Sequence, residues 1–345
     1  MNINQFFKYQ SLTTVEQILL ANLSLLPCTA LNVTEIFSNL GISKTENLRY
    51  FNALHSLQMK GYLEKKSDKY IFPLSKKLDY VAVNYIDIDD CKKIVNEISK
   101  KFASFDDTTD LKDFTEIAEN IVNFIETPTR QIAVLANNLS VYFDIDKNMN
   151  DSLKYSHRAI ELQIIIDNQS DELCFYYNNL ALVYRKMGRY PKALRASLKS
   201  KRLAENTNTK NSKLLAHTYN ILSATYGRLH HYSKAVEFNL KAIEHGEKAS
   251  GIAEITLANY YYDAAVTYYN STNFLNAKHY IDHAITLYKN ARKDEIGHYK
   301  EIMRNQKIFT AFYKMELLMD SNFQVAFYSA LSTISLGLSL YLVFG

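Results

Sequence analysis

Asparagine recurs at nearly constant spacing in the second half of the chain, and its side chain suits one kind of chemistry. An Asn amide both donates and accepts hydrogen bonds, so it can hold the backbone of an extended peptide from both sides. Asn is also a poor helix former, so its recurrence in helical segments needs a reason. The candidates, 41 or 42 residues apart, are Asn137, Asn138, Asn178, Asn179 and Asn220. We predict that they line a peptide-binding groove; the alternative is that they are solvated polar positions of a scaffold.

Three cations accompany these asparagines near the predicted ends of the same helices. They are Arg185, Lys186 and Arg228. Guanidinium and ammonium groups bind carboxylates through charge-assisted hydrogen bonds. We therefore add them to the predicted peptide-binding groove, although each taken singly is more simply explained as a solvated surface cation.

A second set of candidates lies near the N-terminus, where residues 44–60 predict a helix. Two shorter helices precede it, and a hairpin follows over residues 62–72, which together make a winged-helix layout. Leu48, Phe51, Leu54 and Leu57 are expected on the inner side of the third helix. Its polar face would enter a DNA major groove. The candidate DNA-binding residues are Lys44, Asn47, Arg49 and Lys60. The alternative is a purely structural winged helix, because few cations lie on that face.

The elements that position the groove candidates are four repeated helix pairs. Small residues recur where the two helices of a pair would cross, and a larger side chain there would force the helices apart. A tyrosine recurs three residues after one of these positions, as a filler between units. The small residues are Ser140, Ala181, Ser223 and Ala265 on the first helices, and Ala193, Ala235 and Ala277 on the second helices.

This recurring pattern looks like the tetratricopeptide repeat over residues 132–289. The usual period is about 34 residues, whereas here it is 41 or 42, so each helix is about one turn longer. The longer form resembles kinesin-light-chain-type arrays and the sensor arrays of signal-transduction ATPases. The resemblance implies an all-α protein, an α-solenoid with a concave binding surface built from the first helices.

The order of parts adds a second resemblance. The segments LTTVEQILLANLSLLP, IFSNLGI and LQMKGYLEKKSDKYIFPL are similar to the winged-helix domain that follows the nucleotide-binding core in NB-ARC/STAND signalling ATPases. In that class a helical spacer and a tetratricopeptide array come next. Here no G-x-x-x-x-G-K-[ST] motif exists, and Phe72 stands where many members have a nucleotide-sensing His. The chain thus resembles the sensor arm of such proteins without the NTPase module.

Composition excludes several classes of function. The chain has 345 residues with 9 glycines, 4 prolines and a formal charge of +4, which disfavours phosphate-binding loops and a nucleic-acid footprint over the whole molecule. Three scattered cysteines indicate neither a disulfide framework nor a zinc site. His279 and His283 share a helix face but lack a third ligand. We predict no enzyme activity, no cofactor and no metal.

The last segment, residues 321–345, has no charged side chain. Its length suits a membrane-spanning helix. The alternatives are a helix for homodimerisation or partner docking, and a surface that a continuing chain would cover. We therefore expect a cytoplasmic protein, with membrane association through this segment left open.

These observations predict four parts: a winged-helix-like domain (1–80), a helical spacer (81–131), a tetratricopeptide array (132–292) and C-terminal helices (293–345). The predicted function is a non-enzymatic sensor or adaptor that binds a protein or peptide partner in its groove and relays this to an effector. The alternatives are a transcriptional regulator with the winged helix on DNA, and a membrane-tethered scaffold.

Overall fold

The computed structural model describes residues 9, 11–42, 47–83, 86–103, 111–206, 211–291 and 296–318. These residues form fifteen α-helices and three short β-strands, so the predicted α-solenoid class is confirmed. The chain divides into two compact units, Met1–Asn168 and Gln169–Gly345, which we call the N-terminal and C-terminal units. The predicted C-terminal segment 321–345 lies outside the described residues.

The N-terminal unit begins with three helices, and side-chain caps set the starts of the first two. The three helices are α1 (Thr14–Leu25), α2 (Val33–Asn39) and α3 (Asn47–Met59). Thr13 caps α1 and Asn32 caps α2, each in a capping box with the acidic residue three positions on, Glu16 and Glu35. Each box satisfies backbone N–H groups that a helix start leaves unpaired.

A small antiparallel sheet completes this part of the unit. Its strands are β1 (Leu31–Asn32), β2 (Glu64–Lys66) and β3 (Lys69–Ile71), in the order β1-β3-β2. The predicted hairpin forms at β2 and β3, and Ser67 in its turn takes a positive φ of 57°. Strand β1 was not predicted, because two residues are too short for a sequence pattern. The assignment of these elements to a winged helix stays a prediction.

One prediction about α3 is wrong. Leu54 and Leu57 are fully buried as expected, but Leu48 is 73% exposed and Phe51 is 45% exposed. The helix buries Ala53, Leu54 and Leu57 in the core. Phe51 and Leu48, which are three and six residues before Leu54, lie on a part of the helix that the described residues of the unit leave uncovered.

Five further helices follow in the N-terminal unit. They are α4 (Leu74–Val83), α5 (Lys92–Lys101), α6 (Lys112–Phe124), α7 (Arg130–Ile145) and α8 (Met149–Ile166). The last two pack as a pair. At their crossing the hydroxyls of Ser140 and Ser156 lie 2.6 Å apart, so a small polar residue permits close approach as predicted.

The described residues of the C-terminal unit form seven helices. They are α9 (Asp171–Lys186), α10 (Tyr190–Asn206), α11 (Ser212–Arg228), α12 (Tyr232–Lys248), α13 (Glu254–Asn270), α14 (Phe274–Asn290) and α15 (Ile296–Leu318). The first six form three pairs, and each pair is joined by three residues that include one left-handed residue: Gly188, His230 or Thr272.

Small residues lie at the helix crossings of the C-terminal unit, as predicted. Ala181, Ala193, Ala265 and Ala277 are completely buried, and the Ser223 hydroxyl donates to the Ala235 carbonyl oxygen at 2.8 Å. The predicted tyrosine filler is refined by the structure. Tyr226 stacks on Phe238 with centroids 5.6 Å apart, and Tyr268 stacks on Tyr280 at 5.2 Å. Both partners lie on the second helix of the same pair.

No helix among the described residues combines the length and the apolar character that a membrane crossing needs.

Candidate functional site

The first helices of the pairs line the inner side of the C-terminal unit. Helix α9 contacts α11, and α11 contacts α13, whereas the second helices of neighbouring pairs barely touch. A stack whose first helices approach more closely curves toward them. The surface of α9, α11 and α13 is therefore the concave face on which helical repeat proteins bind their partners, and we call it the inner groove.

The repeat period puts equivalent residues of the three helices side by side. Residues 42 positions apart form rows across the inner groove. Each residue named in these rows is either exposed or partly buried. The rows are Phe175, His217 and Asn259; Leu182, Ala224 and Val266; and Lys186, Arg228 and Asn270. The floor is thus small and apolar in its middle row, with polar and basic groups toward one end.

Two of the predicted groove residues do not reach the inner groove. Asn178 has no exposed surface, and its amide donates to the Thr218 hydroxyl at 2.9 Å while its oxygen accepts from the Ser200 hydroxyl at 2.7 Å. Asn137 in the N-terminal unit is only 4% exposed. The first asparagine of each doublet is therefore buried between helices, where hydrogen bonds compensate for the burial of a polar side chain. For these two residues, the prediction of peptide contact is wrong.

The other asparagines are partly open. Asn179 on α9 and Asn220 on α11 are half-buried in the C-terminal unit, and Asn138 on α7 is half-buried in the N-terminal unit. The Asn220 carboxamide oxygen is buried and accepts no hydrogen bond from the described residues. A buried oxygen without a donor is costly, and Asn220 stands one repeat period after Asn178, whose oxygen accepts a hydrogen bond inside the unit.

Arg185 is the electrostatic centre of the inner groove. Burial lowers the pKa of Arg185 and the nearby charge of Arg228 lowers it further, while Asp263 of α13 and Tyr190 act to raise it. A guanidinium stays ionised in spite of such shifts. Arg185 therefore has both a carboxylate and a second cation near it, and the charge of Asp263 has the larger effect of the two.

His217 completes this cluster and was not among the predicted groove residues. Its ring stacks on Phe175 with centroids 6.4 Å apart. Burial lowers the pKa of His217, and the charge of Arg185 lowers it further, so the imidazole is neutral near pH 7. The signal was present in the sequence, because His217 lies 42 residues from both Phe175 and Asn259.

The predicted DNA-binding residues have different surroundings, and DNA binding by them stays a prediction. Lys44 lies outside the described residues, Asn47 is half-buried and Arg49 is exposed. Lys60 donates to the Glu16 carboxylate at 2.6 Å, and Glu16 is only 3% exposed. Lys60 is thus held by a contact inside the unit rather than presented for a phosphate.

The two histidines that share a face of α14 lie close together. The ring centroids of His279 and His283 are 4.7 Å apart, beside a cavity of about 310 Å³ that also contacts Lys278 and Tyr313. Asp282 between them is occupied, since it accepts from Lys278 at 2.8 Å and from Gln306 at 2.6 Å. Within the described ranges, no group of three or more His, Cys, Asp or Glu could hold a metal ion.

Helix pairs in this arrangement define the tetratricopeptide class of α-solenoid. The family model for the tetratricopeptide repeat matches residues 171–248, so the chain carries such repeats in its C-terminal unit. No curated protein sequence matches the chain.

Several solved structures are similar to the chain at low identity. BtubC (BKLC) from P. vanneervenii is 14% identical with a TM-score of 0.47, covering 62% of this chain and 82% of that chain. A putative kinesin light chain from Podosopora anserina is 11% identical with a TM-score of 0.45, covering 58% and 96%. A Signal Transduction ATPase with Numerous Domains (STAND) protein with a tetratricopeptide repeat sensor, from Pyrococcus horikoshii, is 17% identical with a TM-score of 0.41, covering 90% and 49%.

Proposed function

We propose that this chain is a non-enzymatic adaptor or sensor that binds an acidic, extended segment of a partner protein in its inner groove. The observation that carries the proposal is the position of Arg185 in the inner groove, partly buried between the carboxylate of Asp263 and the exposed Arg228 of the next repeat, near the stacked rings of Phe175 and His217. Asp263 offsets only one of the two positive charges. A partner carboxylate at this place would form charge-assisted hydrogen bonds with the arginines.

The rest of the inner groove suits a peptide backbone. Leu182, Ala224 and Val266 form a low floor that leaves space for a chain to lie across the helices. The stacked rings of Phe175 and His217 give an apolar surface for a partner side chain. These features support binding of an extended segment rather than of a small molecule.

The proposal includes a second surface for the effector, on the N-terminal unit. Helix α3 presents Leu48 and Met59 to solvent, at 73% and 71% exposure. Interfaces with nucleic acid are polar and basic, so these apolar side chains favour a protein on this helix over DNA. We retain the four-part organisation from the sequence as part of this proposal.

The arginine pair gives the direct test of peptide binding. We expect Arg185→Ala and Arg228→Ala each to weaken binding of the best acidic peptide from an array by roughly 2 kcal/mol, about 30-fold, because each removes a charge-assisted contact. Affinities are measured by fluorescence anisotropy with the full chain. Lys289→Ala, an exposed lysine on α14, serves as the control and is expected to bind normally. Equal affinity of all three variants would contradict the proposal.

The pKa of His217 predicts a pH dependence of the same binding. The free groove holds this pKa below its usual range, chiefly through burial and secondly through Arg185. A bound carboxylate beside Arg185 raises it, so the complex takes up a proton and affinity increases as the pH falls from about 7.5 to about 5.5. Titrations at both pH values measure the slope. His217→Gln should abolish it and His283→Gln should leave it unchanged; a slope that persists without His217 would sink this assignment.

A further inference from the structure

Helix α10 carries an unusual row of positive charge on its outer face. Residues 189–206 contain six basic residues and one acidic residue. Four cations recur at three- and four-residue spacing and are exposed, and a fifth precedes the helix. They are Lys192, Arg195, Lys199 and Arg202, with Arg189 before them. At 1.5 Å per residue the four lie about 15 Å from end to end along one side of the helix, and we call them the basic stripe.

The next two second helices, α12 and α14, pair three of their five lysines with carboxylates of the same helix. On α12, Lys241 pairs with Glu237 at 2.6 Å and Lys248 pairs with Glu244 at 2.6 Å. On α14, Lys278 pairs with Asp282 at 2.8 Å. The acidic residue of α10, Glu205, is engaged by Lys201 at 3.1 Å, which leaves the basic stripe without an acidic partner among the described residues.

Such a stripe costs the free protein stability. Cations three and four residues apart on a helix repel each other, by roughly 0.2–0.5 kcal/mol per pair. The aromatic faces beneath support only two of them, as Lys192 lies over Tyr184 at 5.8 Å and Lys199 lies over Tyr177 at 5.3 Å. A surface that is unfavourable when free is relieved by a polyanion.

We propose that the basic stripe docks the protein on an anionic phospholipid surface. A protein partner is disfavoured because interface centres are apolar and depleted in lysine, and the stripe has only Leu198 beside it, at 41% exposure. A straight row on an outward-facing helix can touch a flat surface with all of its charges at once. The exposed Leu198 suits the headgroup boundary, whereas it has no role on a phosphate backbone, where bases would instead need exposed aromatic rings.

The experiment is cosedimentation of the full chain with vesicles of phosphatidylcholine alone and of phosphatidylcholine with about 30% phosphatidylserine, at low and high salt. We expect binding to the anionic vesicles only, and loss of it at high salt. Reversing Arg195→Glu with Arg202→Glu should lower the partition coefficient by at least about 30-fold, because each lost cation near the surface contributed about 1 kcal/mol and the new carboxylates are repelled. These side chains are exposed, so the variant should keep its helical circular dichroism.

The matched control reverses two exposed lysines elsewhere in the C-terminal unit, Lys213→Glu with Lys307→Glu, and should retain most of the vesicle binding. Three outcomes would overturn the proposal. They are equal binding to both vesicle types, equal losses in the two double variants, and a tighter, salt-dependent complex with duplex DNA than with anionic vesicles.

Discussion

Asn178→Asp is expected to destabilise the C-terminal unit by on the order of 3 kcal/mol or more. The side chain is completely buried. Its amide nitrogen donates to the Thr218 hydroxyl at 2.9 Å, and that hydroxyl already donates to the Leu214 carbonyl at 2.9 Å. Thr218 can therefore offer no proton to a carboxylate. The substitution places an unpaired negative charge where an amide had been satisfied.

The network around Asn178 explains why the loss extends beyond one contact. The Ser200 hydroxyl, from α10, lies 2.7 Å from the Asn178 oxygen and 3.0 Å from the Cys174 carbonyl. Three helices, α9, α10 and α11, thus meet at one side chain. Buried networks are costly when only partly satisfied, so we expect local unfolding of all three helices to become easier.

Hydrogen exchange at the amides of α9, α10 and α11 measures this stability without assuming that both units unfold together. Asn179→Asp is the control, because the neighbouring side chain is half-buried and its carboxylate can stay in contact with water. We expect the control to lose less than about 1 kcal/mol. Equal protection in the two variants would show that Asn178 is not the buried junction described above.

Glu16→Gln is expected to cost the N-terminal unit roughly 3 kcal/mol at pH 7. Burial by itself raises the pKa of Glu16, but hydrogen bonds from Lys60, Ser56 and Thr13 outweigh it and lower the pKa from 4.5 to about 2. The carboxylate accepts from the Ser56 hydroxyl and from the Lys60 ammonium, each at 2.6 Å. A neutral amide cannot replace these charge-assisted hydrogen bonds. Its NH₂ group would also face the Ser56 hydroxyl and the Lys60 ammonium, which are themselves donors.

The same pKa fixes the pH dependence. Because the folded-state pKa lies below the unfolded value, the stabilisation is present above pH 4.5 and is lost as the pH falls toward 2. The difference in unfolding free energy between wild type and Glu16→Gln should therefore shrink over that range. Exchange protection of α1 and α3 follows it.

Glu35→Gln is the matched control, since Glu35 occupies the same capping-box position on α2 and is exposed. Its cost should be about 0.5–1 kcal/mol. A pH-independent difference for Glu16, or equal costs at the two positions, would contradict the prediction.

Much of the fold follows from local patterns. The 41- or 42-residue period and the small residues at the helix crossings predicted the helix pairs, because a crossing excludes large side chains wherever it occurs. The hairpin followed from a polar turn at Ser67 between apolar segments. The cations Arg185 and Arg228 were also identified from their place near the helix ends, and their role in binding stays a prediction.

Other features depended on partners distant in sequence. Asn178 and Asn179 are adjacent and chemically identical, but only Asn178 faces Thr218, 40 residues away. The sequence predicted that Lys60 binds a DNA phosphate, but its ammonium donates to the buried carboxylate of Glu16, 44 residues earlier. Leu48 has the spacing of a core residue, but it lies in the first turn of α3, where the described residues of the unit leave it exposed.

A helical repeat protein could be predicted from local sequence, because the helix period and the size of the residues at helix crossings are properties of neighbouring residues. Which polar side chains are satisfied inside the protein and which face solvent could not be predicted, since burial depends on which helices stack on which. His217 became a candidate on that ground, because the fold stacks its ring on Phe175 and places it near Arg185. The basic stripe of α10 became one because the fold leaves its four cations exposed.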